Sequence, residues 1–96
     1  VDLIFRSGIW KGCFFKNDKN VIDLYKAFYG LRDLGYIVSF DPPPYGLIIK
    51  LHGGSITLHS TGSFLVVGNI DVKKMAASLD LLFNHLKKLK YIQNRR

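Results

Sequence analysis

Apolar residues recur at helical spacing along the last third of the chain. Val72, Met75, Ala76, Leu79, Leu82, Phe83, Leu86 and Leu89 form one stripe, while Lys73, Lys74, Asp80, Asn84, Lys87 and Lys88 lie away from it. That pattern predicts an amphipathic helix of about five turns, capped by Asp71. The stripe of Leu and Met reads as core. An earlier stretch shows the same period at Val21, Leu24, Ala27, Phe28, Leu31 and Leu34. Asn17-Asp18 offers its cap and Gly35 its stop. Between the two helices the period drops to two. Tyr36 to Phe40 reads as a short strand ended by Pro42-Pro43-Pro44, since proline cannot donate to a ladder. Tyr45 to Leu51, Ser55 to Ser60 and Phe64 to Val67 follow as strands, with His52-Gly53-Gly54 and Thr61-Gly62-Ser63 as turns. Such short connections predict an antiparallel meander. Leu3 to Phe15 is rich in strand-forming residues, and Gly8 and Gly12 mark a bulge or bend within it.

The resulting order is β-α-β-β-β-β-α. Two helices then cover one face of a mostly antiparallel five-stranded sheet and leave the other face open. Because strand residues alternate faces, Leu47, Ile49, Leu51, Ile56, Leu58, Phe64 and Val66 are expected in the core. Ile48, Lys50, Thr57, His59, Leu65 and Val67 are expected on the open face. Three of those six are aliphatic, and an uncovered apolar sheet face usually marks a partner site or is covered by a second copy.

The chain has 96 residues, the size of a single domain, and 48% of them are hydrophobic, too many for a disordered tail. No apolar stretch reaches the roughly 18 residues of a membrane span. Asp2, Arg6 and Lys11 break the segment from Val1 to Gly12, so no signal peptide is expected. Cys13 is the sole cysteine, which excludes an internal disulfide and fits an intracellular protein. It reads as a small buried hydrophobe rather than a reactive thiol.

Formal net charge is +7 and there is no Glu. From Asp71 to Arg96 there are seven Lys or Arg against two Asp, whereas the preceding residues hold seven against five. The second helix therefore carries a basic surface, with Lys73, Lys74, Lys87 and Lys88. Nucleic acid, acidic protein and anionic lipid are the partners such a surface suits, and a merely solvated helix face looks the same.

The segment Phe40-Asp41-Pro42-Pro43-Pro44-Tyr45-Gly46-Leu47-Ile48-Ile49-Lys50-Leu51, an aromatic-acid-Pro entry into a Gly-Leu-Ile strand, resembles one lobe of the TATA-binding protein family. So does Ser55 to Gly68, an apolar strand, a Ser/Gly turn, a second apolar strand and a glycine. The order of elements resembles that lobe over nearly the whole chain. The resemblance implies an α+β half-saddle, a curved antiparallel five-stranded sheet with two helices on its convex side. It also implies DNA binding through the concave sheet, where paired phenylalanines wedge between base steps in the minor groove. By position the wedges fall at His59 and near Tyr45, the phosphate-contacting cation at Lys50, and the groove-facing pair at Leu65 and Val67. Ser63 stands where the family has a basic residue. The implied setting is a nuclear or viral transcription compartment.

Catalytic patterns are missing. The sequence has no Cys-x-x-Cys, His-Glu-x-x-His or Gly-x-Ser-x-Gly, and Gly53-Gly54 is not followed by the Lys-Ser/Thr of a phosphate loop. No catalytic residue, metal ligand set or cofactor is assigned, and a non-enzymatic domain is expected. The leading expectation is a transcription-related DNA-binding lobe using Tyr45, Ile48, Lys50, Thr57, His59, Leu65 and Val67. The alternative is an assembly module whose apolar sheet packs on another protein, a second such lobe or a second copy of the chain. A further alternative is the substrate-binding domain of a ribonuclease H type enzyme.

Overall fold

The computed structural model of the chain describes residues 3–6, 9–15, 20–41, 46–51, 53–68, 71–88 and 92–94. Its elements in order are β1 (Leu3–Arg6), β2 (Ile9–Cys13), β3 (Asn20–Ile22), α1 (Leu24–Asp33), β4 (Val38–Asp41), β5 (Gly46–Leu51), β6 (Gly54–Leu58), β7 (Ser63–Gly68), α2 (Val72–Lys88) and β8 (Ile92–Asn94). Six strands form one antiparallel sheet in the order β1-β2-β7-β6-β5-β4, and β3 pairs with β8 in a separate two-stranded ribbon. The fold is α+β with two helices, as expected, but the sheet has six strands rather than five.

The extra strand comes from the N-terminal segment. It is a hairpin, not one interrupted strand: Leu3 pairs with Gly12 and Arg6 with Ile9. Gly12 makes no bend. It keeps regular register, opposite Leu3 on one side and Phe64 on the other.

The first helix starts later than its apolar spacing suggested. Asn17-Asp18 lies outside the described residues, and the cap is Asp23, whose carboxylate accepts the Lys26 amide proton at 3.1 Å. Val21 belongs to β3. Strand pairing wins over helical spacing there because the Ile22 amide donates to the Ser60 carbonyl at 2.8 Å and β8 supplies a second partner. At the other end Gly35 adopts φ +98°. Its amide donates to Arg32 and that of Tyr36 to Leu31, the double closure of a Schellman motif. Leu34 therefore ends the helix half exposed, outside the core, and Tyr36 belongs to the cap rather than to a strand.

Strand parity follows the alternation. Leu47, Ile49, Ile56, Leu58, Phe64 and Val66 are all 2% exposed or less. They form one core with Leu24, Ala27 and Leu31 of α1 and Met75, Leu79, Leu82 and Leu86 of α2, so both helices cover the same face. Leu51 packs at its margin. Aromatic rings fasten the helices to the sheet: Phe28 of α1 stacks on Phe40 of β4 at 4.6 Å, and Phe14 lies between Phe64 and Phe83 at 4.7 and 4.9 Å. Each fully buried Leu, Ile or Phe contributes about 1.5–3 kcal/mol relative to exposure.

Candidate binding face of the sheet

Residues directly opposite in an antiparallel ladder point to the same side. On the side away from the helices, one row therefore runs Ile4, Lys11, Leu65, Thr57, Ile48, Ser39 across the sheet. The next row holds Val67, Ser55 and Lys50. Ile37 extends it, since the Lys50 amide donates to the Ile37 carbonyl at 2.9 Å. The face thus brings together Ile48, Lys50, Thr57, Leu65 and Val67, all expected there from alternation.

His59 follows β6 on the same side. Its ring lies over the strand entry, since a Cβ placed on Gly46 would come within 3.2 Å of the His59 Nδ1 atom and 2.7 Å of the Leu58 carbonyl oxygen. Glycine is required at Gly46 by that close approach, and His59 is half-buried. Its amide donates to Ser63 and its carbonyl accepts from Gly62, which fixes the β6–β7 turn. Gly62 has φ +88°, and a side chain there would run into the Phe15 ring. Tyr45 and His52 lie outside the described residues.

Beyond the residues expected from alternation, the face holds Ile4, Lys11, Ile37, Ser39 and Ser55. Treating the N-terminal segment as a single bent strand left its parity undefined, which hid Ile4 and Lys11. Ile37 alternates with the inward Val38 and Phe40, so its position was legible. Ile37, Ile4 and Val67 are 68%, 59% and 47% exposed, among the more exposed large apolar side chains of the described residues.

The charges on the face are sparse. Lys11 and Lys50 are exposed on it, and Asp41, two residues beyond Ser39 on edge strand β4 and opposite Gly46, lies half-buried on the same side. Three strand steps separate the lysines, about 14 Å at about 4.8 Å per strand, with about 7 Å of offset along the strands. Beside Lys11 a shallow cavity of about 200 Å³ opens between Gly12, His59, Ser63 and Leu65. Cys13, opposite Ser63 in the ladder, is exposed, not buried as a small hydrophobe, and its thiol lies 3.8 Å from the Thr61 carbonyl oxygen.

Lys73, Lys74, Lys87 and Lys88 are exposed on α2, which covers the other side of the sheet. Lys87 rests over the Phe83 ring at 5.0 Å. Among the described residues, no three His, Cys, Asp or Glu side chains gather as a metal site, and no helix is long and apolar enough to cross a membrane. No protein-family model, curated protein or solved structure matches this chain.

Proposed function

We propose that this chain is a binding domain of a transcription-related protein and that it meets duplex DNA with the uncovered face of its six-stranded sheet. The observation that carries the reading is the make-up of that face. An aliphatic and hydroxyl floor of Ile48, Thr57, Leu65 and Val67 is bracketed by Lys11 and Lys50. The lysines stand farther apart than the about 6 Å width of the minor groove, so they would straddle it and reach the two phosphate backbones. Small apolar and hydroxyl side chains suit the groove floor, where readout is largely by shape. Net charge of +7 favours the encounter. With β1, β3 and β8 set aside, the order of the remaining elements is β-α-β-β-β-β-α, which supports the resemblance to a TATA-binding protein lobe.

The test is anisotropy titration of a labelled AT-rich duplex at several salt concentrations. Lys11→Glu with Lys50→Glu should weaken binding at least tenfold and flatten the salt slope by roughly two ions. Unchanged affinity in the folded double variant refutes the assignment.

A second reading has its own support. Ile4, Ile37 and Val67 are large apolar side chains left exposed on this face, and such patches are characteristic of protein interfaces. If the face packs on a second copy or lobe, light scattering will give a multiple of the 10.9 kDa chain mass. Leu65→Lys with Val67→Lys will return it to the monomer.

A further inference from the structure

A second cavity, of about 290 Å³, lies on the helix side, between Leu34 and Gly35 at the end of α1, Tyr36, and Leu81 and His85 of α2. Its volume is at the lower edge of small-molecule sites, which span about 300–1,000 Å³, and suits one large side chain. Leu34, the C-cap of α1, and Leu81 of α2 line it and are 49% and 53% exposed, although both helices bury their apolar stripes well. The polar groups are two: the Tyr36 hydroxyl and the His85 imidazole, whose rings meet edge-on at 5.9 Å.

The charge around this cavity is ordered. Lys74 and Lys88 each stand seven residues from Leu81. At roughly 100° per residue the three lie along one line of α2, the lysines about 10.5 Å to either side of Leu81, with Lys88 nearer the cavity than Lys74 because His85 lines it too. The acid of the helix interior, Asp80, falls roughly 100° away, on the Phe83 and Lys87 flank. Asp33, in the last turn of α1, points away from the core and from Leu34 by the same measure.

From this juxtaposition we propose that the cavity is a docking site for an acidic protein segment, which inserts one aromatic or aliphatic side chain between Leu34, Tyr36, Leu81 and His85 and sets carboxylates against Lys74 and Lys88. Charge complementarity selects an acidic partner, and the apolar lips select a hydrophobic anchor. In an extended segment the distance of about 10.5 Å from Leu81 to each lysine is spanned by about three residues at about 3.3 Å per residue, so three carboxylates on either side of the anchor reach both. A nucleic acid would satisfy the lysines and leave the cavity unfilled. The site is on the opposite side of the sheet from Lys11 and Lys50, so both faces can be occupied at once, and this inference does not depend on what binds the open sheet.

The probe is a fluorescein-labelled seven-residue peptide with a central Phe and three carboxylate residues on either side, titrated with the full chain. Its central Phe→Ala counterpart should bind about tenfold more weakly, the usual scale of a lost anchor. Lys74→Glu with Lys88→Glu should weaken the Phe peptide at least tenfold, and so should Leu81→Asp. These three side chains are exposed, so thermal melting should show every variant folded, and Lys11→Glu with Lys50→Glu should bind the peptide as the parent does. Less than a twofold difference between Phe and Ala peptides, or full binding by folded Leu81→Asp, overturns the proposal. Displacement of the peptide by a 12-base-pair duplex that itself ignores Leu81→Asp likewise overturns it, as the lysines would then be a phosphate surface.

Discussion

Substituting lysine at Val66 and at Val67 tests the register on which every assignment above depends. The two neighbours sit on one strand and point to opposite sides. Val66 is 2% exposed and belongs to the core, facing Ile56 and Trp10 across the ladders, whereas Val67 is 47% exposed on the open face opposite Ser55. Val66→Lys removes about 1.5–3 kcal/mol of apolar burial and adds an unpaired ammonium whose effective desolvation penalty is several kcal/mol. A chain of this size has about 5–14 kcal/mol of total stability, at about 0.05–0.15 kcal/mol per residue. Val66→Lys should therefore lose half or more of that stability, and its urea midpoint should fall by more than about 1 M. Val67→Lys keeps its stem across the sheet surface and its charge in water, and should stay within about 0.5 kcal/mol of the parent. The assay is urea unfolding followed by far-UV circular dichroism. With a slope of about 1–3 kcal/mol per M for a small protein, Val67→Lys should move the midpoint by less than about 0.5 M. If Val67→Lys unfolds the chain and Val66→Lys does not, β7 is displaced by one residue, its side chains exchange faces, and the proposed binding face ceases to exist.

Leu86→Ala, at a position with no exposed surface, should cost about 2–5 kcal/mol in urea unfolding because the small core cannot collapse around the cavity. Asp23→Ala should cost about 0.5–2 kcal/mol by removing the side-chain acceptor of the Lys26 amide, and Asp23→Asn should recover most of it. Burial raises the Tyr36 pKa above its ordinary value of 10.0, so the folded chain holds that proton more tightly than the unfolded one. Its contribution to stability is complete below about pH 10 and is lost as pH rises from there through the folded value. Absorbance titration at alkaline pH should show a late tyrosine ionisation that disappears in Tyr36→Phe.

The meander was readable because three signals agree there. Alternation in Leu47 to Leu51, Ile56 to Leu58 and Phe64 to Val67 gives the faces, the glycines give the turns, and the proline run separates β4 from β5. The buried stripe of α2 is equally plain, since 3.6-residue spacing over 17 residues has no competing reading. The N-terminal third was harder for a physical reason. Val21 and Ile22 fit the apolar spacing of α1, yet their backbone is drawn into β3 by the Ser60 carbonyl and by β8, a partner seventy residues away whose pairing no local pattern announces. Ile92 to Asn94 carries no strand alternation of its own. The open face was legible in its centre, at Ile48, Thr57 and Leu65, and illegible at the β2 end, because Lys11 is placed by pairing with Leu65 rather than by its neighbours in sequence.

The distribution of charge separates the two surfaces. If counterion release were the whole of this chain's binding, the densest cations would mark the site, and those are on α2. Among the described residues the open sheet face carries two lysines, one aspartate at its edge and a largely apolar floor, an arrangement that gains little from charge alone and depends on shape and desolvation. The helix carries lysines on both of its flanks, and the flank with Leu81 and His85 adds a cavity to them. Salt should therefore act unequally. Contacts made through the sheet lose the share due to two phosphates as salt rises and keep their apolar share, whereas a purely electrostatic contact to α2 disappears. A docked acidic segment falls between these limits, because its anchor remains buried when its carboxylates are screened. The residual affinity at high salt, compared between Leu65→Lys with Val67→Lys and Leu81→Asp, assigns each bound partner to one face.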